Sequence, residues 1–413
     1  MPELVPPARI RAAFSAAMSR MYRSEVPLYG DLLEIVAEVN ARVLAADPAL
    51  AASLAASGEQ ARLGEERHGA VRVGTAAELA LLARIFAVMG MEPVGYYDLA
   101  PAGIPVHSTA FRATDPEALR ESPFRIFTSL LRLELIADAE LRMQAAAILA
   151  ARRIVSDECL HLLDRAESEG GLDEDDAASF VAAALETFRW QGRALVDRPT
   201  YDRLLAAHRL VADIVAFPGP HINHLTPRTL DIDAAQAEMQ RRGIAAKASI
   251  EGPPRRAAPV LLRQTSFHAL SEPFAAVGEG EGSSHTARFG EIEQRGAALT
   301  PAGRALYDQC LAIGDFTPMP DDFAQLHSQG LAYARFVVDG GKMRAEPLTY
   351  EDFLPVSAAG IFRSNLGGED AAGDYAGASS QEVFEAALGR AVLDPFALYA
   401  EAEERSAMAA EAR

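Results

Sequence analysis

The chain has 413 residues, 49% of them hydrophobic, and its 58 acidic and 39 basic residues give a formal net charge of −19. Nucleic acids and anionic membranes bind basic protein surfaces, so this charge argues against both as partners. The length and a mean hydropathy of +0.01 indicate a globular chain that can enclose an active-site cavity. Because the overall field repels anions, an anionic substrate needs arginines placed at its own site.

The chain contains two cysteines, Cys159 and Cys310. Two thiols exclude a disulfide scaffold and a cysteine-rich zinc site, and they fit a reducing cytoplasm. The first residues lack the basic start and apolar core of a signal peptide, and no uncharged run approaches the about 18 residues of a membrane-spanning helix. We therefore expect a cytoplasmic protein without a membrane partner.

A helical region opens the chain. Apolar residues recur at helical spacing between residues 8 and 56, and Pro27 and Gly30 are expected to divide the run into two helices. We assign residues 1–66 to this region. Helical patterning returns after the first strands, so residues 113–219 are predicted to form a large helical insertion.

The pattern changes at residue 67 from a helical period to a period of two. This change predicts a strand on which His68 and Arg72 share a face. Thr75 and Glu78 form a capping box for the helix that follows, and two more strands come after it. Residues 67–112 therefore read as most of a βαβββ module.

The stretch around Gly219 differs from the helical sequence before it. The prolines on either side of this glycine end a helix, and residues 221–226 then read as a short strand. Side chains alternate between the faces of a strand, so His221 and His224 should point to opposite sides. Only one of them can face a given pocket, and a lone histidine is more often a hydrogen-bonded core or surface residue than a ligand.

The order of strand, helix and strands then repeats. Residues 220–345 read as a second βαβββ module with a histidine on its first strand, as in the first module, although the two share almost no sequence identity. Residues 346–413 are expected to form a segment that closes the pocket, followed by a helix. We therefore predict an α+β fold in which the two modules form a curved sheet around a site.

The last predicted strand of the second module carries Glu291 and Glu293 on one face, together with Arg295. Two like charges two residues apart repel when both are buried, so one should meet a cation or solvent. A solvated edge strand is the alternative. Combined with His68 and His224, the set is two imidazoles and a carboxylate on rigid strands, which matches the facial triad of non-haem Fe(II) oxygenases.

Several stretches together resemble one known family. They are Met21–Gly30, Arg67–Gly74, His221–Thr226, Arg263–Phe267, Phe289–Gly296 and Phe353–Gly360. Over nearly its whole length the chain resembles the bacterial 2-oxoadipate dioxygenase/decarboxylases, the hydroxyglutarate synthases of lysine catabolism. The core of that family is similar to vicinal-oxygen-chelate enzymes such as hydroxyphenylpyruvate dioxygenase, whose last strand has a Glu-x-x-Gln-Arg pattern with the glutamate as ligand. That pattern favours Glu291 over Glu293.

The resemblance implies a set of site residues. Its metal ligands would be His68, His224 and Glu291, with Glu293 as the alternative, and the metal would be Fe(II). It also assigns substrate binding to three residues: Arg72, Val356 and Ser357. A planar, permanently charged guanidinium on the face of the first histidine suits bidentate carboxylate binding, although an ion pair with an acidic residue is the alternative.

Two questions about other polar residues stay open in the sequence. Gln264 and Ser266 share a strand face, and they either hydrogen-bond a ligand or pair within the core. The remaining histidines read as structural or exposed: His107, His161, His208, His268, His285 and His327.

The activity implied by the resemblance is oxidative decarboxylation of 2-oxoadipate by dioxygen. The product would be hydroxylated within the same molecule, giving 2-hydroxyglutarate and carbon dioxide. Three other classes remain: a vicinal-oxygen-chelate isomerase or lyase, an extradiol dioxygenase, and a metal-free binding protein on the same fold. A related dioxygenase acting on a different 2-oxo acid is a further alternative, because the chain is somewhat shorter than other members, and we therefore expect differences in loops near the pocket.

Overall fold

Eight strands form one curled sheet in the protein, whose computed structural model describes residues 3–56, 58–354 and 380–412. In chain order these strands are β1 (Glu66–Val73), β2 (Glu92–Asp98), β3 (Val106–Arg112), β4 (Arg125–Leu131), β5 (His224–Pro227), β6 (Leu262–Ser266), β7 (Leu270–Ala275) and β8 (Glu281–Arg295). Two further strands, β9 (Ala334–Asp339) and β10 (Lys342–Pro347), form a separate hairpin.

Helices account for much of the remaining described chain. They are α1 (Pro7–Glu25), α2 (Pro27–Ala46), α3 (Pro48–Ala56), α4 (Ala76–Val88), α5 (Pro116–Glu121), α6 (Ala139–Ala151), α7 (Asp157–Glu169), α8 (Glu174–Glu186), α9 (Arg198–Ala207), α10 (Arg209–Val215), α11 (Ile232–Arg241), α12 (Pro301–Ile313), α13 (Phe323–Ser328), α14 (Gln381–Leu388) and α15 (Pro395–Glu411). Within the described ranges, none of these helices is both long and apolar enough to cross a membrane.

The sheet consists of two halves with the same internal order. In the first half α4 follows β1 and precedes β2, β3 and β4. In the second half α11 follows β5 and precedes β6, β7 and β8. In each half the first strand is parallel to the last one, because β1 pairs with β4 and β5 pairs with β8. The predicted α+β fold built from two βαβββ modules is therefore confirmed.

The two halves join through their first strands, which lie side by side and antiparallel. In this pairing Ala70 of β1 lies opposite His224 of β5, and His68 lies opposite Thr226. Since alternate residues of a strand share a face, the register places the histidines of both modules on neighbouring strands near the middle of the sheet.

Side chains on the two faces of β1 enter different cores. Val71 and Val73 pack with the N-terminal helices and with α4 in one hydrophobic cluster. Ala70 lies on the other face of β1, between His68 and Arg72. It packs in a second cluster with Phe127 and Phe353. Both faces are therefore covered, and polar groups on the β1 face that carries His68 are withdrawn from water.

Two helical predictions and one strand prediction need correction. Residues 125–131 were expected to be helical but form β4, and every residue of this strand is buried. A strand covered on both faces carries apolar residues at successive positions, which hides its period of two. Gly30 lies inside α2, so Pro27, the first residue of that helix, separates α1 from α2, and the run contains a third helix, α3, that begins at Pro48. The short strand begins at His224 and not at residue 221.

Candidate metal centre

Three side chains from three neighbouring strands converge at one buried point. His68 of β1, His224 of β5 and Glu291 of β8 each offer a ligand atom, and these atoms all lie within 4.8 Å of one another. The register explains the convergence, because β5 lies between β1 and β8 and pairs His224 with Phe289. The structure thus brings together the three residues that the sequence singled out, and their binding of a metal remains a prediction.

The polar atoms of this cluster are incompletely paired. His224 Nδ1 and Glu291 Oε2 are buried and have no hydrogen-bond partner among the described residues. Burial lowers the pKa of His224 to about 3, so its imidazole is neutral and can donate an electron pair to a metal. Leaving such atoms unpaired costs about 1–3 kcal/mol each. Two imidazoles and one carboxylate, two of which have an unpaired buried atom among the described residues, fit a divalent transition metal.

Glu293 contacts the same histidine from the other side. Its Oε2 lies 2.9 Å from His68 Nδ1, and Arg295 holds both of its oxygens, with Nε 2.5 Å from Oε1 and one terminal nitrogen 2.8 Å from Oε2. Although burial opposes the charge, Arg295 and His68 keep the pKa of Glu293 well below its ordinary value. A carboxylate clamped in this way accepts from Nδ1, so Nε2, which lies 3.1 Å from the Thr226 hydroxyl, is the nitrogen of His68 that would bind a metal. These contacts favour Glu291 as the ligand.

Neighbouring residues fix the Glu291 carboxylate. Gln264 Nε2 donates to its Oε1 at 2.6 Å, and the Thr226 hydroxyl donates to the same oxygen at 3.2 Å. His68 Nε2 also lies 3.0 Å from Oε1. Both hydrogen bonds go to one oxygen, so Oε2 is the oxygen with a valence for a metal. Of the two roles left open for Gln264, the structure shows pairing with a buried side chain, whereas Ser266 faces Glu291 as its partner in the β6–β8 ladder.

Arg72 is buried and already has a carboxylate neighbour. Its terminal nitrogen lies 2.5 Å from Asp213 Oδ2, on α10. Its positive charge contributes to the lowered pKa of His224, after the larger effect of burial. A guanidinium has five N–H donors, so it can bind Asp213 and a substrate carboxylate together. The assignment of Arg72 to substrate binding stays a prediction.

Sequence reasoning missed several polar residues at the site and named two that cannot be placed. Val356 and Ser357 lie outside the described residues. Asp213 was missed, because nothing in its local sequence distinguishes it from the other acidic residues. Lys247 was also missed; it is buried, its Nζ lies 2.9 Å from Glu251, and its charge helps to lower the pKa of Glu291. A signal existed, since the chain has only two lysines.

Comparison with known proteins places this geometry in a family. The family model described as 2-oxoadipate dioxygenase/decarboxylase matches residues 14–365. A 2-oxoadipate dioxygenase/decarboxylase of Pseudomonas putida is 54% identical, with 98% of this chain and 97% of the relative covered. The protein of the same name from Escherichia coli K12 is 53% identical, with 96% of each chain covered.

Solved structures give the same result. The crystal structure of the hydroxyglutarate synthase from Pseudomonas putida in complex with 2-oxoadipate superposes with a TM-score of 0.92 at 53% identity, covering 100% of this chain and 99% of the other. A putative glyoxalase superfamily protein from Ralstonia eutropha shares the fold at 20% identity, with a TM-score of 0.52 over 71% of this chain and 85% of its own. The chain belongs to the 2-oxoadipate dioxygenase/decarboxylase family.

Proposed function

We propose that this protein is an Fe(II)-dependent dioxygenase that converts 2-oxoadipate and dioxygen to 2-hydroxyglutarate and carbon dioxide. The observation that carries the proposal is the buried His68, His224 and Glu291 cluster, in a chain 53% identical to a hydroxyglutarate synthase solved in complex with 2-oxoadipate. Its two cysteines, Cys159 and Cys310, are buried and free, which supports a reducing compartment such as the cytoplasm.

The chain's own residues supply binding and orientation. Fe(II) held by His68, His224 and Glu291 would offer open positions for dioxygen and for the carboxylate and keto oxygens of a 2-oxo acid. Arg72 on the same strand would bind the far carboxylate of the substrate and so decide which carbon faces the oxygen. Phe353, whose ring centroid lies 4.8 Å from that of His68, covers the cluster with an apolar side chain and helps to exclude water.

The overall reaction predicts a fixed stoichiometry. Loss of carbon dioxide shortens 2-oxoadipate by one carbon, and the two atoms of dioxygen enter the new carboxylate and the hydroxyl group. We therefore expect oxygen uptake, carbon dioxide release and 2-hydroxyglutarate formation in a ratio of one to one to one, without added 2-oxoglutarate. An oxygen electrode, trapped carbon dioxide and chromatography of the product would measure the three quantities.

The same experiment separates the alternatives. An isomerase or lyase on this fold would consume no dioxygen, and an extradiol dioxygenase would oxidise catechols but leave 2-oxoadipate untouched. A requirement for a second organic substrate would place the protein among two-substrate oxygenases. Running 2-oxo acids of other lengths in parallel shows whether 2-oxoadipate is the preferred substrate.

The Glu293 contact with His68 gives a second expectation. Replacing Glu293 by glutamine removes the charge that holds His68 Nδ1 protonated and oriented. Loss of such an orienting carboxylate typically weakens metal binding by about 10–100-fold. We expect this decrease in Fe(II) affinity, measured anaerobically by competition with a chelator. Glu346→Gln is the matched control, because Glu346 pairs with arginines on the separate β9–β10 hairpin. Equal affinities in the two variants would contradict the orienting role.

A further inference from the structure

A buried group of charged and polar side chains surrounds the Asp213 carboxylate. Besides Arg72 at Oδ2, His285 Nε2 lies 2.9 Å from Oδ1 and His221 Nε2 lies 3.2 Å from the same oxygen. Asp213, His221 and His285 are all buried. The group is called the Asp213 cluster below, and it consists of Asp213, Arg72, His221 and His285. The cluster shares no member with the three candidate metal ligands, although the charge of Arg72 also acts on His224.

The two histidines of the cluster are held differently. His285 has a partner at each ring nitrogen: Nε2 donates to Asp213, and Nδ1 lies 2.9 Å from the Tyr201 hydroxyl, from which it accepts. His221 Nε2 is close to the carboxylate, but the two atoms are not aligned for a hydrogen bond, and this buried nitrogen has no hydrogen-bond partner among the described residues. A second proton on His221 would place a positive charge 3.2 Å from the carboxylate, so His221 is the member whose attraction to Asp213 would grow on protonation.

Counted over the described residues, the charges of the cluster balance before substrate binds. Arg72 and Asp213 carry opposite charges and cancel. Tyr201 on α9 is neutral, because burial raises its pKa to about 12. The other cation facing His221 is Arg288 on β8, which pairs with two carboxylates from α1 and β7, those of Glu25 and Glu272. Burial lowers the pKa of His221, so its imidazole is neutral at neutral pH.

A substrate carboxylate that binds Arg72 adds one negative charge to this balanced, buried group. An uncompensated charge in such surroundings is costly, and a nearby titratable group commonly changes its protonation to remove that cost. Arg288 has no positive charge to spare, because it is held by the carboxylates of Glu25, which it shares with Arg189, and of Glu272. Among the described residues of the cluster, His221 is the side chain that can supply the missing charge.

We propose that His221 takes up one proton when the second carboxylate of a dicarboxylic 2-oxo acid binds at Arg72, so that the Asp213 cluster makes affinity for the diacid dependent on pH. The inference rests on the proposed function, since it needs a 2-oxo diacid whose far carboxylate reaches Arg72. The sign follows from linkage. A complex that binds an extra proton is favoured at low pH, so affinity for the diacid falls as pH rises from the pKa of His221 in the free protein to its higher pKa in the complex, by up to about tenfold per pH unit, and is level outside this window.

Two ligands of equal chain length isolate the effect. 2-Oxoadipate and 2-oxohexanoate both present a 2-oxo acid to the metal, but only the first has a second carboxylate. Calorimetric titration of the Fe(II)-loaded protein without oxygen, in buffers of different ionisation enthalpy, gives the number of protons taken up with each ligand. Proton exchange at the metal end is common to both and cancels in the difference. We expect about one more proton with 2-oxoadipate at pH 7.5.

Variants then assign the proton to a residue. His221→Gln should remove the extra proton and flatten the pH dependence of 2-oxoadipate affinity, with iron content unchanged. His107→Gln is the matched control, because His107 is also buried but lies on β3 and contacts Tyr96 and Ser380. An extra proton that survives in His221→Gln would overturn the assignment to His221.

The outcomes also separate this inference from the proposed function. If both ligands bind and take up equal numbers of protons in the wild-type protein, the inference is wrong and the proposed function stands. If neither ligand binds the iron-loaded protein, both are wrong. This wild-type comparison decides the matter even when a variant fails to fold.

Discussion

Iron binding is expected to disappear when His224 is replaced by alanine and to persist when His221 is replaced by alanine. His224 contributes one of three protein ligand atoms that lie within 4.8 Å of one another, whereas His221 contacts Asp213. Loss of a direct ligand should weaken Fe(II) binding by more than the about 100-fold that is typical of residues that only orient ligands. Iron per chain after anaerobic loading and desalting measures the effect.

The pair of histidines provides its own control, because both are buried and only three residues apart. Thermal unfolding of each metal-free variant shows whether the fold survives the substitution. An iron-free His221→Ala protein together with an iron-loaded His224→Ala protein would reverse the assignment and would show that the metal lies on the Asp213 side of β5.

Much of the site was predictable because a strand imposes a period of two on its side chains. That period alone puts His68 and Arg72 on one face of β1, and it puts Glu291 and Glu293 on one face of β8. The same period could not choose between the two glutamates, since both satisfy it. The choice depends on their partners, because Arg295 binds both oxygens of Glu293, whereas Oε2 of Glu291 has no hydrogen-bond partner in the described part of the chain.

The parts of the site and of the fold that the sequence does not reveal depend on packing between residues far apart in the chain. Asp213 is 141 residues from Arg72 along the chain, and the two come together where α10 packs in the same hydrophobic cluster as Ala70 of β1. With 58 acidic residues present, one more aspartate on a helix carries no signal. The β4 strand was hidden for a related reason: its partners on both faces come from distant segments, so its sequence shows no polar face.

Arg72 variants test how an acidic protein selects a dianionic substrate. At a net charge of −19 the long-range field repels 2-oxoadipate, so selectivity for the diacid must come from short-range contacts. Losing a buried, charged hydrogen-bond partner costs about 2–5 kcal/mol, so Arg72→Ala should lower kcat/KM for 2-oxoadipate by about 30-fold or more. Arg72→Lys keeps the charge but lacks the planar fork, and we expect an intermediate loss.

The effect of Arg72→Ala on stability must be separated from its effect on catalysis, because the substitution leaves the Asp213 carboxylate buried without the guanidinium that pairs with it. Breaking a buried ion pair in this way destabilises a protein by about 3–5 kcal/mol, so a lower unfolding temperature is expected in Arg72→Ala. The ratio of kcat/KM for 2-oxoadipate to that for 2-oxohexanoate cancels any loss of folded protein. Iron content should be unchanged, since Arg72 is not a ligand. If the ratio stays at its wild-type value while the unfolding temperature falls, Arg72 serves only the Asp213 ion pair and another residue must bind the far carboxylate.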